Sequence, residues 1–163
     1  MPSLDHRHNP CVASVGADQP RLGTVRVVTD TAAAPAQIPL VDYLVLGDHP
    51  HLVAHQSTSC GARYFDRRNA CAGCFGTSFE RVDIATEGTV RAFTIVTFAA
   101  PGVPVPFAAA VVGCDGTSVR GNILNTPPDP EHVKLGMKVR LATFSLGTDD
   151  QGTEAIGFGF EPA

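Results

Sequence analysis

Apolar and polar positions alternate most clearly in the second half of this chain. Between residues 89 and 96, Val90, Ala92, Thr94 and Val96 fall on one face of an extended segment, and Arg91, Phe93 and Ile95 on the other. A period of two marks a β-strand, and apolar residues on both faces fit a strand that lines a barrel and is partly covered outside. Segments of the same character predict strands over 79–86, 89–99, 107–113, 118–124 and 137–146, with a last piece at 153–160. Turn chemistry separates them: Pro101-Gly102, Pro104 and Pro106, Asp115-Gly116, and the run from Asp149 to Gly152. Asp-Gly between two β runs is a strong hairpin signal, because a type I′ turn needs positive φ at both central residues. Between Asn125 and Gly136 a short helical turn is predicted, with Asp129 as N-cap and Pro130 at the first helical position.

Five or six short strands with one helical insertion predict a mainly β domain over 79–163, a small closed barrel of the OB type. An SH3-like barrel or a small sandwich shares the same periodicity. The first half of the chain reads differently. Residues 1–22 have no period and are expected as a tail, 23–29 (GTVRVVT) as a short strand, and 30–39 as a linker. Leu40–Leu46 carries apolar residues at most positions and is expected as a short N-terminal helix, with a strand as the alternative. The following GDHPHLVAHQ leads into a cysteine cluster, so 40–78 forms a small module ahead of the barrel.

Composition narrows the function classes. With 44% hydrophobic and 17% charged residues in 163, the chain can build a core, and 16 Gly with 13 Pro favour many turns over long helices. The formal charge of −4 disfavours a nucleic-acid binder, which usually presents a net basic surface. No run approaches the roughly 18 apolar residues that span a bilayer, and residues 1–40 show no secretory h-region, so a cytoplasmic protein without a membrane role is expected.

Five cysteines are present, Cys11, Cys60, Cys71, Cys74 and Cys114. An odd count in a reducing compartment points to metal ligands rather than disulfides. Three fall in Ser57-Thr58-Ser59-Cys60-Gly61 and Cys71-Ala72-Gly73-Cys74. Paired CxxC turns bring thiolates together around one tetrahedral zinc. Here the second turn is intact and the first is SxxC. Cys60, Cys71 and Cys74 therefore need a fourth donor, and His55 is nearest by sequence, followed by His51, His49 or Cys11. A metal-free ribbon held by packing is the alternative; a redox CxxC lacks the surrounding βαβ pattern. A zinc with four protein ligands is structural, with no open position for substrate.

The order of these pieces resembles a family of acyl-CoA-associated proteins that pair a rubredoxin-like zinc ribbon with an OB-fold. The resemblance covers about residues 40–162: the lead-in PLVDYLVL, Cys60-Gly61, Phe65 to Arg68 before Cys71-x-x-Cys74, Gly88-Thr89-Val90, Pro106-Phe107, Lys134 to Val139, and Phe160-Glu161-Pro162. Ser57 departs from the family pattern, as does Asp66-Arg67 where prolines are common. The resemblance implies a non-catalytic subunit of a thiolase-like or ketosynthase-like enzyme, docking through the ribbon while the barrel shelters or positions a CoA thioester. Residues 60–91 carry five arginines against four acidic residues. Arg63, Arg67, Arg68 and Arg91 are the candidates to meet CoA phosphates.

A nucleic-acid-binding ribbon–barrel protein is the alternative function. It is disfavoured by the net charge and by barrel phenylalanines with few basic neighbours. A free-standing enzyme is disfavoured by the absence of GxSxG, P-loop and HExxH motifs. Cys114, beside a turn and far in sequence from any histidine, reads as a small buried residue.

Overall fold

The computed structural model describes residues 36–163; the tail at 1–22, the strand expected at 23–29 and Cys11 lie outside them. Ten strands follow one another: β1 (Gln37–Pro39), β2 (Leu44–Val45), β3 (His51–Ser57), β4 (Arg63–Tyr64), β5 (Phe79–Ile84), β6 (Glu87–Val96), β7 (Phe107–Cys114), β8 (Thr117–Ile123), β9 (Lys138–Thr148) and β10 (Glu154–Pro162). No helix occurs among the described residues. In place of the short helix expected over 40–46, the chain bends at 40–43 and enters β2. Leu44 turns inward there to 3% exposure, and strand pairing satisfies a backbone that an isolated single helical turn would leave open.

The first sheet is built on β3. It pairs with β5 from Leu52 to Ser57 on one edge, while β2 and β4 share the other edge at opposite ends. This strand was not predicted, because Leu52, Val53 and Ala54 are buried in succession and leave no alternation to read. Phe79–Ile84, expected as the first barrel strand, belongs to this sheet instead.

The five strands β6 to β10 close into a barrel with neighbours in the cyclic order β6-β7-β8-β10-β9. All contacts are antiparallel except β8 against β10, where Phe160 faces Ile123 and the Leu124 N–H donates to the Phe160 carbonyl at 2.7 Å. That closure is the OB arrangement, and it excludes an open sandwich. β1, expected as part of the linker, runs parallel to the start of β10 and covers its free edge from Glu154 to Ile156.

Along β7, Ala108, Ala110, Val112 and Cys114 point inward and are buried. On β6 the expected alternation breaks at Arg91, a bulge: Val90 pairs with Val112, but Ala92 pairs with Val111. One extra residue inverts the parity of everything after it. Phe93 and Ile95, opposite Ala110 and Ala108, therefore pack on the core, while Ala92 and Thr94 face outward. The Asp115-Gly116 hairpin forms as predicted, with φ of 47° and 80°. The expected helical turn also forms: the Asp129 carboxylate accepts from the N–H groups of Glu131 and His132, both at 2.9 Å, and Val133 is seated in the core with no exposed surface.

One continuous core spans both sheets. Leu44, Leu52, Ala54 and Ile84 from the first sheet join Val90, Val112, Val139 and Phe160 from the barrel. Tyr43 links the two, with ring centroids 4.9 Å from Phe65 and 6.0 Å from Phe158.

Candidate metal centre

The first knuckle leaves β3 at Ser57 and returns at Arg63; the second lies between β4 and β5. Both are short, so their backbone polar groups bond locally. Gly61 and Phe75, each just after a cysteine, take left-handed conformations with φ of 73° and 61° and turn the chain back. The knuckles bring Cys60, Cys71 and Cys74 together, with their sulfur atoms all within 4.8 Å of one another. Cys60 Sγ lies 3.5 Å from Cys71 Sγ. Thiolates around one tetrahedral zinc stand about 3.8 Å apart, so the cluster has the right size.

His55 does not join them. It pairs with Tyr64 and Arg81, two residues before Ser57 along β3, a displacement of about 6.8 Å. His51 contacts the His49 carbonyl at 2.9 Å and Asp83 at 3.6 Å, at the far end of the same strand. What stands beside the cysteines is Ser57, 1% exposed, with Oγ 3.5 Å from Cys74 Sγ.

The surroundings favour a thiolate. The Tyr64 hydroxyl lies 3.3 Å from Cys71 Sγ and the Gly73 N–H donates to it at 3.4 Å. The Tyr64 hydroxyl is the largest influence on the Cys71 thiol. With the N–H groups of Gly73 and Cys74 it outweighs burial and lowers the thiol from 9.0 to about 6. Tyr64 is held in turn by the Ala72 N–H at 3.2 Å and lies under the Arg68 guanidinium, 4.5 Å from its ring centre. Tyr64 was not singled out in the sequence. Only the pairing of β4 with β3 aims it at the cluster.

A model of the ChsH2 rubredoxin-like zinc ribbon domain matches residues 46–80, and a model of the ChsH2 C-terminal OB-fold domain matches 81–144. The chain belongs to the ChsH2 family. The boundary between its two matched domains falls inside β5, a ribbon strand that runs into the barrel after only Ala85 and Thr86. No curated protein matches the chain. A solved structure described as "Ltp2-ChsH2(DUF35) aldolase" shares the fold at 22% identity and a TM-score of 0.54, covering 69% of this chain and 84% of that one. A protein of unknown function from the DUF35 family of Sulfolobus solfataricus aligns at 19% identity and a TM-score of 0.40, over 64% of this chain and 74% of that one.

Within this ChsH2-type frame the four candidate arginines separate. Arg67 and Arg68 line a polar cavity of about 350 Å³ on the ribbon with His55, Asn69, Thr77 and Phe79. Arg63 turns the other way: it donates to Gln56 at 2.7 Å and to the Asp115 carboxylate at 2.5 Å, joining ribbon to barrel. Arg91, the bulge residue, lies against Gly113, where a Cβ would collide with its Nε. Cys114 is buried at 1% exposure, and burial followed by the Asp115 charge raises its thiol, which leaves it an inert core residue.

Proposed function

We propose that this chain is a non-catalytic subunit of a thiolase-like or aldolase-type enzyme that acts on acyl-CoA thioesters. The observation that carries the reading is the ChsH2-type ribbon and barrel fused through one core. The relative described as an Ltp2-ChsH2(DUF35) aldolase supports an enzyme partner. Among the described residues the thiols gather in the ribbon, at Cys60, Cys71 and Cys74, or lie buried in the barrel, at Cys114.

Zinc fits the three cysteines, held by Cys60, Cys71 and Cys74 as a structural ion that fixes the two knuckles against each other. Docking through the ribbon is supported by Phe75. This ring is 81% exposed, in a left-handed conformation that costs a bulky side chain about 1–2 kcal/mol and a glycine almost nothing. An exposed aromatic held at such a cost is the kind of anchor that protein interfaces use. A role for Arg67 and Arg68 toward CoA phosphates is supported by their shared polar cavity. On the barrel, an open depression of about 510 Å³ lined by Ala92, Ala109, Val111 and Arg120 suits an apolar chain with a polar head.

Co-expression with a thiolase-like or aldolase partner tests the reading. The chain alone should turn over no acyl-CoA, and the pair should co-purify in fixed stoichiometry. Phe75→Gly should leave the ribbon folded, since it relieves the backbone, yet weaken the complex about tenfold or more. Turnover by the isolated chain, or failure to pair with any such enzyme, would overturn the assignment.

A further inference from the structure

The two knuckles are built alike, residue for residue. In the first, the Ser57 N–H donates to the Ala62 carbonyl at 2.8 Å, and the Gly61 N–H donates back to the Ser57 carbonyl at 2.9 Å. In the second, the Cys71 N–H donates to the Gly76 carbonyl at 2.8 Å, and the Phe75 N–H donates back to the Cys71 carbonyl at 2.9 Å. The left-handed residue follows Cys60 in one and Cys74 in the other. Ser57 is thus the counterpart of Cys71 in backbone bonding, and each is 1% exposed.

The side chain follows the backbone. Ser57 Oγ lies 3.5 Å from Cys74 Sγ, just as Cys71 Sγ lies 3.5 Å from Cys60 Sγ. Among the described residues no histidine or carboxylate joins the three cysteines. We infer that Ser57 supplies the fourth corner of the metal centre, so that zinc is held by three thiolates and one hydroxyl oxygen. This rests on reading the cysteines as a zinc centre, and it replaces His55 as the fourth donor.

The chemistry has a consequence for how firmly the ion is held. A thiolate brings a full charge and a soft donor; a serine hydroxyl stays protonated near neutral pH and brings a neutral, harder oxygen. Three thiolates on Zn²⁺ leave a centre of charge −1, against −2 for four. The ion is therefore bound more weakly than in a four-cysteine ribbon, and its exchange is governed at one corner.

The full chain titrated with Co²⁺, and then with zinc against a chromophoric chelator, tests this. Wild type should give a tetrahedral cobalt spectrum. Ser57→Cys should raise the thiolate-to-cobalt charge-transfer band by about a third, three donors becoming four, and tighten zinc at least about tenfold. Ser57→Ala should shift the visible cobalt bands and loosen zinc about tenfold. If Ser57→Ala matches wild type in both spectrum and affinity, a donor other than Ser57 fills the corner and the inference fails while the zinc reading stands. If wild type binds neither cobalt nor zinc, the zinc reading itself falls. Should Ser57→Ala not fold, an unchanged charge-transfer band in Ser57→Cys is sufficient to overturn the assignment.

Discussion

Arg63 of the ribbon reaches Asp115 at the tip of the β7–β8 hairpin, donating to its carboxylate at 2.5 Å and also to its backbone carbonyl. The pair joins the ribbon to the barrel near the chain connection, since Thr89 at the start of β6 faces Gly113, and Gln56 orients the guanidinium through its Nε at 2.7 Å. Asp115 serves both the barrel, as the first left-handed residue of its turn, and the ribbon, as an acceptor.

Asp115→Asn keeps a residue that tolerates the left-handed conformation and removes only the charge. Both side chains are partly exposed, so the ion pair is screened and the coupling should be modest, about 0.5–1 kcal/mol in a double-mutant cycle with Arg63→Gln. Urea unfolding measures it, and high salt should reduce it.

Gly88, the second residue of β6, lies close against β7. A Cβ there would meet Val112 Cγ1 at 2.5 Å, Cys114 Sγ at 2.6 Å and the Gly113 carbonyl at 2.9 Å. Because backbone is among the obstacles, Gly88→Ala should destabilise the chain by about 1–3 kcal/mol, read as a lower thermal midpoint.

Removal of zinc should loosen the ribbon and spare most of the barrel core. Cys71→Ser takes away the buried thiolate on which Tyr64 and Gly73 converge. Its zinc content on metal analysis should fall below a tenth of that of wild type, as follows from a binding energy that is folding energy for small metal modules. Hydrogen exchange should quicken at 57–76 before it does in β7 and β8.

The metal-free chain should show a pH dependence set by Cys71. Its thiol is lowered from 9.0 to about 6 in the folded state, first by the Tyr64 hydroxyl. A depressed acid stabilises the fold fully above its ordinary value and loses that contribution as pH falls through the folded one. Stability should therefore decline on acidification between pH 9.0 and about 6. Tyr64→Phe should bring the thiol back toward 9.0 and confine the decline to higher pH. Ultraviolet thiolate absorbance follows the titration directly.

Much of this protein was legible in its sequence because the signals are local. The barrel strands, the Asp115-Gly116 turn, the Asp129 cap and the two knuckles each depend on residues within a few positions of one another. The ribbon–OB pairing followed from the order of those pieces. Where alternation vanished, as in Leu52-Val53-Ala54, or reversed at the Arg91 bulge, the pattern could not be read, since both faces of these strands carry apolar residues.

Tertiary structure decided the rest. His55 is closer in sequence to Cys60 than Cys71 is, yet extended β3 holds it two residues short of the cluster, while Ser57 at the end of the strand stands beside Cys74. Arg63 and Arg67 are four residues apart, but one is drawn into the junction with the barrel and the other faces the ribbon cavity. Sequence supplied the donors and turn-formers, which act over short spans. Which donors meet was fixed by strand register and barrel closure, long-range contacts that no short stretch of the chain contains.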